Sequence, residues 1–138
     1  MNTNDYVTVD YKTGVYIAKI VEAAPARTLV EIAAVIRHPL QGDLHRPYEP
    51  DVPMFHERRA AAHREKVWVP SSSVERYEGG VPDYGGSLRQ ALDDAMRAMT
   101  GLAEGEGDSA GANDRPGLSK WAERALANLR RLERDYFG

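Results

Sequence analysis

Three short segments in which apolar and polar residues alternate open the chain. They are residues 6–10 (YVTVD), 15–22 (VYIAKIVE) and 27–36 (RTLVEIAAVI), and a glycine or a proline lies between each segment and the next. Alternation in segments rich in β-branched and aromatic residues is typical of half-buried strands. Tight connections between consecutive strands favour antiparallel pairing. The pattern therefore predicts a three-stranded antiparallel meander.

A second β-rich region lies at residues 67–77 (VWVPSSSVERY). Two short strands are predicted at its ends, and Pro70 with the three serines that follow it suits a tight 3₁₀ turn between them. Such a turn between the last two strands is typical of SH3-like barrels. Together with the meander, it predicts a small SH3-like β-barrel over residues 1–80.

The period of the apolar residues becomes helical after a glycine-rich boundary at residues 79–86. Ser87 is the predicted N-cap of a first helix, and a second helix is predicted from about Ser119. Residues 101–117 between them contain five glycines and one proline, so we expect a flexible linker there. The C-terminal region, residues 81–138, is therefore predicted to be an antiparallel helical hairpin, which makes the fold mainly β with a C-terminal α part. The apolar stripes of the hairpin would allow a homodimer if the barrel left them uncovered.

The candidate chemistry is concentrated between the third and fourth predicted strands. This stretch holds four of the eight prolines, and all four histidines of the chain: His38, His45, His56 and His63. Because proline stiffens the backbone, we expect an ordered loop at residues 38–55. Residues 55–66 carry conflicting signals, since ERRAAA favours a helix while the link to the next strand favours an extended chain. We favour a strand from about residue 59 onwards.

Composition and charge narrow the function classes. The net charge of −3 disfavours a protein that mainly binds nucleic acid, because phosphate binding needs a concentrated positive field. The chain has no cysteine, which excludes disulfides, thiolate catalysis, cysteine-ligated zinc and a lipid on a cysteine within these residues. No apolar run is long enough to span a bilayer. We expect a cytoplasmic protein that reaches a membrane only indirectly, through a partner.

Catalysis and metal binding find little support in the spacing of these residues. Four residues are competent metal ligands: His38, Asp43, His45 and His56. No pair matches a helical zinc motif, so we favour hydrogen bonds that shape the loop. Asp43 with His45, or Glu57 with His56 or His63, would form acid and base pairs of a kind that any polar loop supplies. The chain contains neither a Gly-x-Ser-x-Gly elbow nor a phosphate-binding loop. We therefore predict no enzyme, no cofactor and no metal site.

Protein recognition is the function that the loop favours. A proline-stiffened loop loses little entropy on docking, and this one offers aromatic and arginine residues of the kind that anchor interfaces. The alternatives are RNA binding by a small barrel, suggested by the basic residues near Trp68, and, less favoured, a His-rich metal-dependent enzyme. The predicted partner-binding residues are His38, Gln41, Asp43, His45, Arg46, Tyr48, Phe55, His56 and Glu57.

Two motifs in this loop resemble those of a known family. HPLQGDLH at residues 38–45 and DVPMFHERRA at residues 51–60 strongly resemble the kinase-associated protein B family of spore-forming Gram-positive bacteria. YKTGVY at 11–16, VPDY at 81–84 and LERDYF at 132–137 extend the resemblance over most of the chain. The resemblance implies a small β-barrel with a C-terminal helical extension. It also implies a role in supporting a membrane sensor histidine kinase that feeds the sporulation phosphorelay, and it names no catalytic or ligand residue.

Overall fold

The computed structural model describes residues 2–105 and 117–138. These residues form one five-stranded antiparallel sheet with the strand order β4-β3-β2-β1-β5, followed by two helices. The elements are β1 (Tyr6–Tyr11), β2 (Gly14–Glu22), β3 (Arg27–Arg37), β4 (Lys66–Pro70), a 3₁₀ helix (Ser71–Ser73), β5 (Glu75–Arg76), α1 (Tyr84–Ala103) and α2 (Leu118–Phe137). The predicted fold class is confirmed, although β4 and β5 are the two edges of an open, barrel-like sheet rather than neighbours in a closed barrel.

The described residues divide into two structural units. The first consists of Met1–Pro39 and Ala60–Ala91, and the second of Leu40–Arg59 and Leu92–Gly138. This division differs from the predicted one at residue 80, because the long loop after β3 groups with the helices. The contacts that place it there are described below.

One face of the sheet forms the core of the first unit. Alternate residues of the strands point to this face, as the sequence pattern predicted, and α1 adds Leu88 and Ala91. The hydroxyl of Tyr16 accepts a hydrogen bond from the backbone N–H of Ala61 at 3.0 Å, so its buried polar group is satisfied. The buried strand residues include Val7, Val9, Tyr16, Ala18, Ile20, Val30, Ile32, Val67 and Val69.

Residues 55–65 are neither helix nor strand, so the prediction of a strand from about residue 59 is wrong. The chain makes a turn, in which the N–H of Glu65 donates to the carbonyl of Ala62 at 3.0 Å and Arg64 adopts φ +71°. Arg64 and Glu65 both hydrogen-bond to the backbone of Ile32, so two residues face one residue of β3. Regular pairing with β3 therefore begins only at Lys66, the first residue of β4. A turn with positive φ interrupts regular pairing, and local propensity gives no sign of it.

The start of α1 also differs from the prediction. Asp83, not Ser87, caps the helix: its Oδ2 accepts a hydrogen bond from the N–H of Gly86 at 3.0 Å, and its carbonyl accepts one from Ser87 at 2.9 Å. Ser87 is buried one turn later, where its hydroxyl donates to the carbonyl of Tyr84 and accepts from the N–H of Val35. The serine is therefore needed for packing against β3 rather than for capping.

The predicted antiparallel hairpin is confirmed in the second unit. This unit contains α1 from Leu92 onwards. Leu92 packs with Leu129 and Leu132, which lie towards the end of α2. At the other end, the hydroxyl of Ser119 donates to the carbonyl of Ala103 at 2.8 Å. α1 continues to Ala103, beyond the expected end at residue 101. Most of the predicted linker, residues 106–116, lies outside the described residues.

Replacing the capping aspartate tests the assignment of the start of α1. We expect Asp83→Ala to lower the free energy of unfolding by about 1 kcal/mol, because the N–H of Gly86 loses its acceptor. Asp94→Ala, on the exposed surface of the same helix, is the matched control and should change stability by less than about 0.5 kcal/mol. Urea denaturation followed by circular dichroism measures both. Equal effects of the two substitutions would contradict the assignment of Asp83 as the cap.

Candidate functional site

The long loop of the second unit is closed at its base by a side-chain amide. Gln41 is buried; its Nε2 donates to the carbonyl of Arg58 at 3.0 Å and its Oε1 accepts from the N–H of Arg58 at 2.9 Å. Beside it, the N–H of Gly42 donates to the carbonyl of His56 at 2.9 Å. The Nη2 atom of Arg58 completes the closure by donating to the carbonyl of Gly42 at 3.0 Å. The side-chain amide of Gln41 thus bonds both the N–H and the carbonyl of Arg58, as a backbone peptide group would in a strand pair. This pairing joins the two ends of the loop.

Helix α2 contributes Asn128 to this closure. The Nδ2 group of Asn128 lies 3.4 Å from Oε1 of Gln41 and 3.3 Å from the carbonyl oxygen of His56. Its Oδ1 accepts a hydrogen bond from Arg131. Asn128 is itself buried, and a buried amide of this kind is strongly unfavourable unless its groups are paired. The two ends of the loop are therefore fixed to α2 as well as to each other.

An aromatic layer lies beneath the loop. Trp121 of α2 is 2% exposed, and the ring of Tyr48 meets it edge-on with 4.9 Å between centroids. Phe55 and Leu40 pack on the same cluster. Tyr48 adopts φ +67°, a conformation that a bulky residue holds only when its surroundings fix it. The aromatic contact with Trp121 provides that restraint, so the loop has a defined shape.

Gly42 is required where the loop meets this layer. Its φ is +101°, and a Cβ atom there would lie 3.1 Å from Nε1 of Trp121 and 3.2 Å from the ring of Phe55. Only glycine adopts this backbone conformation without strain and also allows such a close approach. The Gly in the HPLQGDLH motif is thus explained by packing against α2.

Polar contacts join the outer side of the loop to α2. Arg124 lies over the ring of Phe55 at 4.3 Å and donates to the carbonyl of Pro50, and Arg131 pairs with Glu57 at 3.2 Å. Arg59 pairs with Asp135 at 3.2 Å. Because these side chains are largely solvent-exposed, each ion pair contributes at most about 1 kcal/mol. They orient the loop, whereas the buried amides and the aromatic layer stabilise it.

Several predicted partner-binding residues have structural roles inside the chain. His38 is 2% exposed, and its Nδ1 lies 3.0 Å from the carbonyl oxygen of Pro39. Gln41 closes the loop, and Tyr48 and Phe55 pack on Trp121. Oδ1 of Asp43 accepts a hydrogen bond from the N–H of His45 at 2.8 Å, which forms a local turn. These side chains shape the loop, and among the histidines His38 does so with its ring, whereas the side chains of His45 and His56 are exposed.

The remaining predicted residues are exposed. His45, Arg46, His56 and Glu57 face solvent, although Glu57 is engaged by Arg131. Two apolar side chains are exposed on the same loop: Met54, which is 60% exposed, and Leu44, which is absent from the predicted set. An exposed leucine or methionine is suited to an interface because it gains from desolvation. The exposed loop surface is therefore defined by Leu44, His45, Arg46, Met54 and His56.

The sequence analysis did not identify the role of Asn128. It predicted the apolar stripe of α2, including Trp121, as packing within the hairpin, and Trp121 does pack there against Met99 and Leu102. The stripe also supports the loop. A signal was present, because Asn128 interrupts an otherwise apolar helix face next to Leu129 and Leu132. A buried asparagine indicates a specific polar partner.

The titration behaviour of His38 follows from its burial. Removal from water lowers the pKa of His38 below its usual 6.5, and the hydrogen bond to the carbonyl of Pro39 opposes this shift only in part. His38 is therefore neutral at pH 7. Among residues 2–105 and 117–138, no three histidine, aspartate or glutamate side chains are grouped so that they could hold a metal ion.

Comparisons with known proteins agree with one another. The family model described as Kinase associated protein B matches residues 11–137, which include both loop motifs. Kinase-associated lipoprotein B of Bacillus subtilis (strain 168) is 46% identical over 135 residues, covering 98% of this chain and 94% of the relative. The crystal structure of kinase-associated protein B from Bacillus cereus is similar with a TM-score of 0.72 and 33% identity, over 99% of this chain and 97% of that one. Within the part of the chain that the structure describes, neither helix combines the length and apolar character that crossing a bilayer requires.

The substitution Asn128→Ala tests whether α2 holds the loop closed. We expect a loss of about 1–3 kcal/mol in the free energy of unfolding, because the Oε1 atom of Gln41 and the carbonyl of His56 lose a donor. Amide hydrogen exchange at Gly42 and Arg58 should become faster, since both N–H groups are bonded in the closure. Arg130→Ala, on the exposed face of α2, is the control. Unchanged exchange at these two amides in Asn128→Ala would show that the loop closes without the helix.

The substitution His38→Asn tests the effect of burial on the histidine. Because the pKa of His38 is lowered in the folded state, the unfolded chain binds the proton more tightly, so this group destabilises the fold as pH falls below about 6.5. Asparagine keeps a hydrogen-bond donor near the position of Nδ1 but does not titrate. The stability difference between wild type and His38→Asn should therefore shrink between pH 7.5 and 5.5, by at most about 1.4 kcal/mol per pH unit.

A buried residue that does not titrate provides the control for this experiment. Val35→Ala should lower the free energy of unfolding by urea by the same amount at each pH, because the removed side chain is buried and apolar. A pH-independent difference between wild type and His38→Asn would contradict the role assigned to burial.

Proposed function

The chain belongs to the kinase-associated protein B family, and on this premise we propose that it is a non-enzymatic regulatory protein that supports a sensor histidine kinase of the sporulation phosphorelay. It acts in the cytoplasm by binding the kinase, or a protein associated with the kinase, through the exposed surface of its long loop. The names of its relatives support a kinase as the partner.

The observation that carries this proposal is the way the loop is held. Buried amides of Gln41 and Asn128 fix its ends, and the contact of Tyr48 with Trp121 fixes its middle. A loop that is ordered before it meets a partner loses less conformational entropy on binding. Rigid support beneath exposed side chains is the arrangement expected of a recognition surface.

The charge of the loop tip indicates the character of the partner surface. Residues 43–51 contain three carboxylates (Asp43, Glu49 and Asp51) and one guanidinium (Arg46), which gives a net charge of −2 with His45 neutral. A complementary partner surface is basic at its rim and apolar where it meets Leu44 and Met54. Such a partner should bind less tightly as salt is added.

The name of one relative bears on membrane attachment. The Bacillus subtilis relative is named a lipoprotein, whereas none of the 138 residues here is a cysteine that could carry a thioether-linked lipid. We therefore propose that this chain reaches the membrane through its kinase partner.

Binding to the soluble cytoplasmic portion of a sensor histidine kinase from the same genome tests the proposal. Wild-type protein should bind saturably in isothermal titration calorimetry and should change the rate of kinase autophosphorylation. The double substitution His45→Ala with Arg46→Ala should weaken binding at least about tenfold, because arginine at an interface centre commonly contributes more than 1 kcal/mol.

A second double substitution controls for loss of charge alone. His63→Ala with Arg76→Ala removes one exposed histidine and one exposed arginine outside the loop and should leave affinity unchanged. If no kinase portion binds the wild-type protein, the proposed function is wrong. If both double variants bind as the wild type does, the loop is not the contact surface.

A further inference from the structure

The first unit contains a shallow apolar groove that none of the loop residues line. Its volume is about 540 Å³, and its walls come from the β2–β3 connection and from one side chain of β4. This volume is in the range of sites that bind small molecules or short peptide segments. The lining residues are Glu22, Ala24, Pro25, Ala26, Arg27 and Trp68.

Trp68 gives the groove an aromatic wall. Its indole is 41% exposed, whereas its neighbours Val67 and Val69 point into the core. An exposed tryptophan is unusual for a strand residue, because the indole has a large apolar area to bury. The sequence analysis placed Trp68 near a basic cluster, but the proposed function makes no use of it.

The pairing of β3 with β4 places Arg27 against this indole. The N–H of Ser71 donates to the carbonyl of Ala26, and the N–H of Ile32 donates to the carbonyl of Glu65. Hydrogen-bonded and non-hydrogen-bonded pairs alternate along an antiparallel ladder. Counted from these two bonds, Leu29 and Trp68, which lie opposite each other, form a non-hydrogen-bonded pair. Arg27 is then the diagonal neighbour of Trp68 on the exposed face. Its guanidinium carbon lies 5.7 Å from the indole centroid, within the range of a cation–π contact.

The two charged groups of the groove have no ionic partner within the described chain. Neither Glu22 nor Arg27 forms an ion pair among residues 2–105 and 117–138. The guanidinium donors of Arg27 are available to carbonyl oxygens, while its position is fixed by the indole. The carboxylate of Glu22 is available to a cation at the other side of the β2–β3 connection.

We propose that this groove binds an extended, proline-containing peptide segment that carries a basic residue. Proline rings pack on the indole of Trp68 and on the Ala24–Ala26 turn. The carbonyl groups of a polyproline II segment have no internal hydrogen bonds, and they accept from Arg27. The basic side chain pairs with Glu22, which sets the direction of the segment.

The geometry supports a peptide rather than a compact ligand. The groove is open, and its lining combines an apolar surface with two opposite charges, so an extended segment can satisfy all three features together. A preformed polyproline II segment also loses little entropy when it binds to a flat aromatic surface.

Titration with synthetic peptides tests this inference on the full chain. The probe is an octaproline peptide with a C-terminal arginine, and the comparison peptides are octaproline with a C-terminal glutamate and a glycine–serine peptide of equal length ending in arginine. Binding of the first should be saturable and should change tryptophan emission. Trp121 is 2% exposed, so the change should be absent in Trp68→Phe.

Variants of the groove resolve the role of each group when affinity is measured by calorimetry. Trp68→Ala should weaken binding at least about tenfold, whereas Tyr6→Ala, which removes an aromatic residue that is 39% exposed on β1, should not. Glu22→Gln should weaken binding of the arginine peptide up to about fivefold and remove its preference over the glutamate peptide. Glu75→Gln is the matched control.

Three results would overturn the inference. They are no saturable binding of the octaproline–arginine peptide to wild-type protein, equal binding of the glycine–serine peptide, and an equal effect of Trp68→Ala and Tyr6→Ala. A dimer in sedimentation velocity that Trp68→Ala converts to a monomer would assign the groove to a second copy of the chain instead. Circular dichroism melts confirm that each variant is folded before its affinity is compared.

Discussion

The second unit depends on one buried interaction, the pairing of the Gln41 amide with the backbone of Arg58. It closes a loop that contains no helix or strand, and Asn128 of α2 donates to the same Oε1 atom. A buried amide without partners is unfavourable by about 1–3 kcal/mol. The loop, the helix and the aromatic contacts between them are therefore mutually dependent rather than separately stable.

This dependence explains why several residues that were predicted to bind a partner pack inside the chain instead. His38, Gln41, Tyr48 and Phe55 belong to residue types that bind partners, but here they give the loop its shape. The exposed members are fewer, and they lie on a backbone that is already ordered. A rigid surface with a small number of exposed anchors is suited to selective binding, because its affinity comes from few contacts and little ordering.

Local signals in the sequence were sufficient for the sheet and the hairpin. The bounds of β1, β2 and β3 and the start of α2 fall within one residue of the predicted ones, since alternation, turn residues and helical spacing are encoded close by in the chain. The predictions that were wrong depend on distant partners or unusual dihedral angles. Arg64 adopts a positive φ where a strand was expected from about residue 59. Ser87 bonds to Val35 instead of capping a helix. Asn128 meets Gln41, 87 residues away, and no short-range pattern contains that information.

The way the loop is fixed leaves its surface free to diverge. His56 takes part in the closure through its carbonyl oxygen, and Gly42 through its N–H and carbonyl, so the exposed side chains at positions 44, 45, 46, 54 and 56 contribute little to folding. Substitutions there change the chemistry of the exposed surface without a large loss of stability. A lineage can therefore alter the surface at these few positions while the supporting residues stay the same.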